Sequence, residues 1–371
     1  MKKTLILFFL VTGFVIYGKA QNTNDVLNLL IANKVITQEQ ADSVRAEAAI
    51  KQQESDANKK SFPLNTSRQI QLSGYTQIRY QNLEEKGKAS GFDIRRARID
   101  LKGTISPIWA IRFQTELAGS PKILDAYAEC KLADYFNLTI GQAKVPFSLE
   151  NLASSNKLEL IDRSQVVEAL SARGKDVIGN QNGRDIGVQV GGSFLKINDL
   201  PLFEYRFGVF NGAGINTPDA NSAKDIAGRL VAHPIKGFAF GGSFYNGWDV
   251  FGKTTPIEQE RSRYGLELSY DWNIFSVKSE YIHGKDGITK RDGWYAQAGA
   301  FIIPQKLQVL FKYDTYDPDK SKTADASTIY ILGVNYNFNN WSRIQAVYNI
   351  KQEQGPKVNN NFGVIQYQIS F

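Results

Sequence analysis

The chain has 371 residues, 44 Lys and Arg against 37 Asp and Glu, and a formal charge of +7. The basic excess is dispersed, with no cluster of cations and interleaved aromatics and no recognisable nucleic-acid motif, which argues against a nucleic-acid binder. A single cysteine, Cys130, excludes an intrachain disulfide framework.

The first residues, "MKKTLILFFLVTGFVIYGKAQ", set two lysines before an apolar run and end on small residues ahead of Gln21. This layout predicts a secretory signal peptide over residues 1–20. No later stretch offers 18 uninterrupted apolar residues, so no membrane-spanning helix is expected.

Residues 21–65 differ in texture from the rest of the chain. Val26, Leu29 and Leu30, then Ala41, Val44 and Ala48, recur at helical spacing, and Thr37 with Gln40 forms a capping-box pattern. A periplasmic helical or coiled-coil segment is expected here, either as a solvated spacer or as an oligomerising element.

From residue 66 onward the pattern alternates. Sixteen strands are predicted near 70–81, 92–105, 108–118, 122–132, 136–144, 184–195, 202–211, 224–233, 236–246, 261–271, 274–283, 293–303, 306–316, 326–338, 341–351 and 361–371. Most approach the ten residues that a tilted strand needs to cross a bilayer. Connections after the even-numbered strands are tight, such as Ser106-Pro107 and Trp272-Asn273. Those after the odd-numbered strands are mostly long and polar, such as "NGAGINTPDANS" and "GWDVFGKTTPIEQE"; the short "GSP" after the third strand is the exception. Short turns at one end and long loops at the other are the pattern of an outer-membrane barrel. The last strand, "FGVIQYQISF", alternates cleanly and ends on Phe371, as the insertion signal of bacterial barrels does.

The fold expected is therefore an all-β transmembrane barrel in the bacterial outer membrane, with its apolar parity toward lipid and its polar parity toward a water-filled lumen. Projecting that parity puts Arg79, Arg96, Arg98, Lys102, Arg112, Lys131, Arg206, Arg229, Lys278, Lys312 and Arg343 in the lumen. Asp100, Glu116, Asp125, Glu129, Asp185, Glu204, Glu267, Glu280 and Asp314 join them, eleven cations against nine anions. In "FDIRRARIDLKGTI" the residues Phe92 and Ile94 share parity with Arg96 and Arg98, so the register is expected to slip near Arg95. The long connection at about 145–183 carries Leu158, Ile161, Val167 and Leu170. It is expected to fold into the lumen and bring Lys157, Arg163, Arg173, Lys175 and Arg184 to a constriction.

Other functions find less in the residues. There are two histidines, His233 and His283, and no G-x-S-x-G, HExxH or paired Cys/His set, so neither a metal nor a cofactor is expected. A barrel enzyme of the lipase or protease type and a structural or adhesive barrel with a blocked pore are the alternatives.

Four segments in order, "FDIRRARIDLKGTI", "IGQAKVPFSLENL", "GRDIGVQVGG" and "FGVFNGAG", resemble the phosphate-selective porin O and P family. The resemblance implies a sixteen-stranded homotrimeric porin in outer-membrane lipid, with an infolded third loop and passive diffusion of small anionic solutes. Arg95, Arg96, Arg98, Lys144 and Arg184 fall within these motifs. With Arg79, Lys102, Arg112 and Arg173, they are the residues expected to line the anion path.

Overall fold

The computed structural model describes residues 27, 30–33, 35, 37, 40, 61–65, 68–171, 173, 182–197, 200–219, 221–251 and 257–371. The expected signal peptide, most of the prefix and Lys175 lie outside them. The chain divides into two units, residues 1–61 and 62–371. In the first, Gln40 Oε1 accepts from Thr37 N at 2.9 Å and Thr37 Oγ1 accepts from Gln40 N at 3.2 Å, the reciprocal bonds of a capping box.

The second unit is a barrel. A short strand β1 (Ser61–Asn65) precedes β2 (Arg68–Leu83), β3 (Gly91–Thr104), β4 (Trp109–Glu116), β5 (Lys122–Ala133), β6 (Phe136–Lys144), β7 (Arg184–Ile197), β8 (Leu200–Phe210) and β9 (Asp225–Ile235). Then come β10 (Phe238–Phe251), β11 (Ile257–Trp272), β12 (Phe275–Asp286), β13 (Thr289–Ile303), β14 (Leu307–Asp317), β15 (Ser327–Asn337), β16 (Ser342–Glu353) and β17 (Phe362–Ser370). Each of β2–β17 pairs antiparallel with its sequence neighbours, and β17 pairs with β2, closing sixteen strands into a ring. β1 joins the same sheet through β2 and β10.

All sixteen predicted strands are present, and the largest differences are in the lengths of β10–β13. The expected nine-residue loop over 284–292 does not exist. β12 and β13 continue into a two-residue turn, Gly287-Ile288, where Gly287 adopts φ +56°. Asp286-Gly287 is a hairpin signal, and glycine takes this left-handed conformation without steric cost. Likewise β10 and β11 run into the segment expected as a long loop, leaving only residues 252–256 between them.

Burial inverts the soluble pattern. Ile99 and Leu101 are each 36% exposed, whereas Arg96 is 4% and Asp100 9% exposed. Apolar side chains face outward and charges inward, as strands in lipid require. The slip near Arg95 is a bulge: Gln77 pairs with Arg96 and Ile78 with Ile94, leaving Arg95 unpaired. The extra residue sends both Arg95 and Arg96 inward while Phe92 and Ile94 stay outside. At the seam, Phe371 N donates to Gly74 O at 2.9 Å and Gly74 N donates to Phe371 O at 3.1 Å.

The chain between β6 and β7 crosses the interior. It contains α1 (Leu149–Leu152), a 3-10 turn at Ser155–Lys157 and α2 (Gln165–Leu170). Val145, Phe147, Val166, Val167 and Leu170 pack against the inward residues Phe210, Ala227, Tyr245, Ile282 and Tyr295. Leu160 and Ile161 pack against Leu310, Ile329, Ile331, Val347 and Val364. Burying a side chain of this size contributes about 1.5–3 kcal/mol. The loop thereby covers the inner face of β12–β17, and a cavity is left between it and β3–β9.

Candidate functional site: a basic passage between loop and wall

Two carboxylates of the loop, Glu150 buried and Glu159 partly buried, set its position. Glu159 accepts from Ser276 Oγ at 2.8 Å, Lys278 Nζ at 2.7 Å, Gln297 Nε2 at 2.7 Å and Gln308 Nε2 at 2.8 Å. Its backbone oxygen accepts from Asn335 Nδ2 at 2.7 Å and Gln345 Nε2 at 2.9 Å. Burial opposes its charge, but Lys278 and these donors outweigh burial and hold the carboxyl below its ordinary range. Glu150 accepts from Lys312 Nζ at 2.7 Å and from the backbone N of Ser164 at 2.7 Å. Lys312, fully buried, also lies 4.2 Å over the Tyr295 ring. Neither Glu150 nor Glu159 stood out in the sequence. Both lie on the loop, where strand parity gives no direction.

Opposite these anchors, Gly183 fits the loop's return against α1. It has φ +70°, and a Cβ there would fall 2.0 Å from Asn151 Oδ1 and 2.7 Å from Arg173 NH1. Arg173 in turn donates to Asn151 Oδ1 at 2.7 Å and pairs with Glu168 at 3.1 Å. Lys144 Nζ donates to the carbonyls of Asn151, Leu152 and Ala153 at 2.9–3.0 Å, closing the end of α1.

The expected path residues separate into groups. Arg98, Arg112, Lys144 and Arg184 line one cavity of about 530 Å³ between the loop and β3–β9, together with Arg206 and Arg229. The acids lining it are Asp125, Glu129, Asp134 and Glu204, so six cations face four anions. Many are paired. Arg98 bonds Glu116 at 2.7 Å, Arg112 forks onto Asp100 at 3.0 and 2.6 Å, and Arg184 bonds Asp125 at 2.6 Å. Arg96 is buried, donates to Gln77 Oε1 at 2.8 Å and does not line the cavity. Lys102 is exposed on β3, and neither it nor Arg173 lines the cavity. Arg79 and Arg95 lie toward the loop-bearing end: Arg79 forks onto Asp93 at 2.7 and 2.8 Å, and Arg95 bonds Asp162 of the loop at 3.0 Å.

The family model for phosphate-selective porin O and P matches residues 69–239. No curated protein sequence matches the chain. Among solved structures, the anion-selective porin from Comamonas acidovorans superposes with TM-score 0.62 at 14% identity, covering 82% of this chain and 100% of that one. The outer membrane channel DcaP of Acinetobacter baumannii gives 0.62 at 11% identity over 84% and 99%. OmpT of Vibrio cholerae, folded in vitro and in trimer form, gives 0.61 at 12% over 82% and 100%. At these identities the likeness is one of fold. The chain is thus an outer-membrane barrel whose residues 69–239 match the model of the phosphate-selective porin O and P family.

Proposed function

We propose that the barrel is a non-enzymatic porin, a water-filled channel through which small solutes diffuse passively and anions pass preferentially. Phosphate and similar oxyanions are the solute class. The observation that carries this reading is the cavity beside the loop, lined by six cations and four anions. A cation about 4 Å from a passing ion contributes about 1 kcal/mol in bulk-like water and several times more at an effective dielectric near 20. Salt screens the interaction over roughly 8–10 Å, so only a narrowed passage lets such charges discriminate. The infolded segment at about 145–183 supplies the narrowing. The cationic path comprises Arg79, Arg95, Arg96, Arg98, Lys102, Arg112, Lys144, Arg173 and Arg184, some by contact and some by field. Residues 1–20 act as the signal peptide, 21–65 as a periplasmic segment and 66–371 as the barrel, assembled as a homotrimer in outer-membrane lipid.

The test is the reversal potential in a salt gradient, for the wild type and for Arg112→Gln combined with Arg206→Gln. Arg112 and Arg206 line the cavity and retain solvent contact. Anion preference that weakens in the double variant supports the reading. A wild-type channel with no preference refutes it.

A further inference from the structure

The loop brings a carboxylate to the outer end of the arginine wall. Asp162 lies between Ile161, buried in the wall's apolar cluster, and Arg163, whose guanidinium donates to the carbonyls of Glu150 and Ala153 at 2.7 Å. The Asp162 carboxylate accepts from Arg95 at 3.0 Å and lies 3.9 Å from Arg79. With Arg96 alongside, the guanidinium groups of Arg79, Arg95 and Arg96 are met by two carboxylates, Asp93 and Asp162.

This contact differs from the other loop carboxylates. The side chains of Glu150 and Glu159 are 9% and 16% exposed and each gathers several donors, as anchors do. Asp162 is 43% exposed and Arg95 33%, joined by one hydrogen bond. Ion pairs this open to solvent are weak and exchangeable. Arg95 Nε is buried without a hydrogen-bond partner, so Asp162 does not satisfy the whole guanidinium fork. A free oxyanion offers that fork the same chemistry as a carboxylate, with more oxygens to place.

Resting on the channel reading above, we propose that Asp162 is a tethered counter-anion that occupies Arg95 and Arg79 in place of the solute. It thereby sets the channel's affinity for small oxyanions. Each solute oxyanion must displace it, and its charge subtracts from the attraction the arginines exert.

The experiment compares Asp162→Asn with the wild type, using inorganic phosphate as the blocker of chloride current. The isosteric variant, checked for folding by heat-modifiable migration, should lower the half-blocking phosphate concentration about fivefold, the factor that about 1 kcal/mol represents. It should also raise anion preference with open-channel conductance in high salt unchanged. Adding Arg95→Gln should cancel the gain. An unchanged half-blocking concentration in a folded variant, while Arg112→Gln with Arg206→Gln still weakens anion preference, overturns the proposal and leaves the channel reading standing. Raised conductance with lost selectivity would mean that Asp162 merely holds the loop, and overturns it too. No anion preference in any variant sinks the channel reading and the proposal together.

Discussion

The carboxylate of Glu159 lies 2.7 Å from the ammonium of Lys278, and this pair fastens the segment crossing the lumen to the barrel wall. Four side-chain donors from three strands converge on that carboxylate. Glu159→Ala leaves Lys278 and the surrounding amides without their acceptor and removes about 3 kcal/mol of attachment. The barrel should still assemble, because its strand ladder is untouched. Single-channel recordings should show larger, noisier steps and weaker ion selectivity. Steps identical to wild type would mean that the apolar contacts of Leu160 and Ile161 hold the segment unaided.

Gly183 gives a second handle on the same passage. Any side chain there meets Asn151 and Arg173, and the backbone is in the left-handed region that favours glycine. Gly183→Val should push the return of the segment away from α1 and lower the unfolding temperature of the barrel. It should also disturb conductance, as Glu159→Ala does. An unaltered thermal midpoint would contradict the packing described.

The seam is a separate matter. A Cβ on Gly74 would come within 2.6 Å of both Arg98 O and the Phe371 ring. Gly74→Val and deletion of Phe371 should each reduce the heat-modifiable, outer-membrane fraction, since both disturb the pairing that closes the ring. Normal yields of folded barrel from either variant would remove the seam from the assembly account.

The pH response has a defined sign. Burial alone would raise the carboxyl of Glu159, yet Lys278 and the hydrogen-bond donors hold it below its ordinary 4.5. At the more exposed Asp162, partial desolvation is outweighed by Arg95, Arg96 and Arg79, which hold the carboxyl below 3.8. A carboxyl depressed in the folded state stabilises above its unfolded value and loses that contribution as pH falls through its folded value. The hold that Glu159 exerts on the segment should therefore be complete above pH 4.5 and be lost, with noisier conductance, as pH falls below 4.5 through its depressed value. A transition near neutrality would assign control of the segment to other groups.

Strand count, facing and even the bulge at Arg95 were legible because period-two alternation reports the face of a sheet directly. Phe92 and Ile94 sharing parity with Arg96 was enough to require an inserted residue. The tall β10–β13 wall was not legible in this way. Its polar ends, "IEQE" and "KDGITKRD", read as loop because the water above a bilayer imposes no apolar face on a strand. The arginines at 96 and 98 were legible as inward, but the burial of Arg96 and its bond to Gln77 were not. Gln77 and Glu116 reach them from neighbouring strands across register that one sequence does not contain. The anchors Glu150 and Glu159 were illegible for a similar reason, since their partners come from β12–β14 and lie more than a hundred residues away.

The central claim is that an open, anion-preferring passage runs between the loop and β3–β9. A planar-bilayer recording of the full-length mature protein in a tenfold salt gradient tests it most directly. Discrete conductance steps with a reversal potential on the anion side are predicted, falling toward zero in Arg112→Gln with Arg206→Gln. Absence of steps from correctly folded protein, or a reversal potential on the cation side, would contradict it.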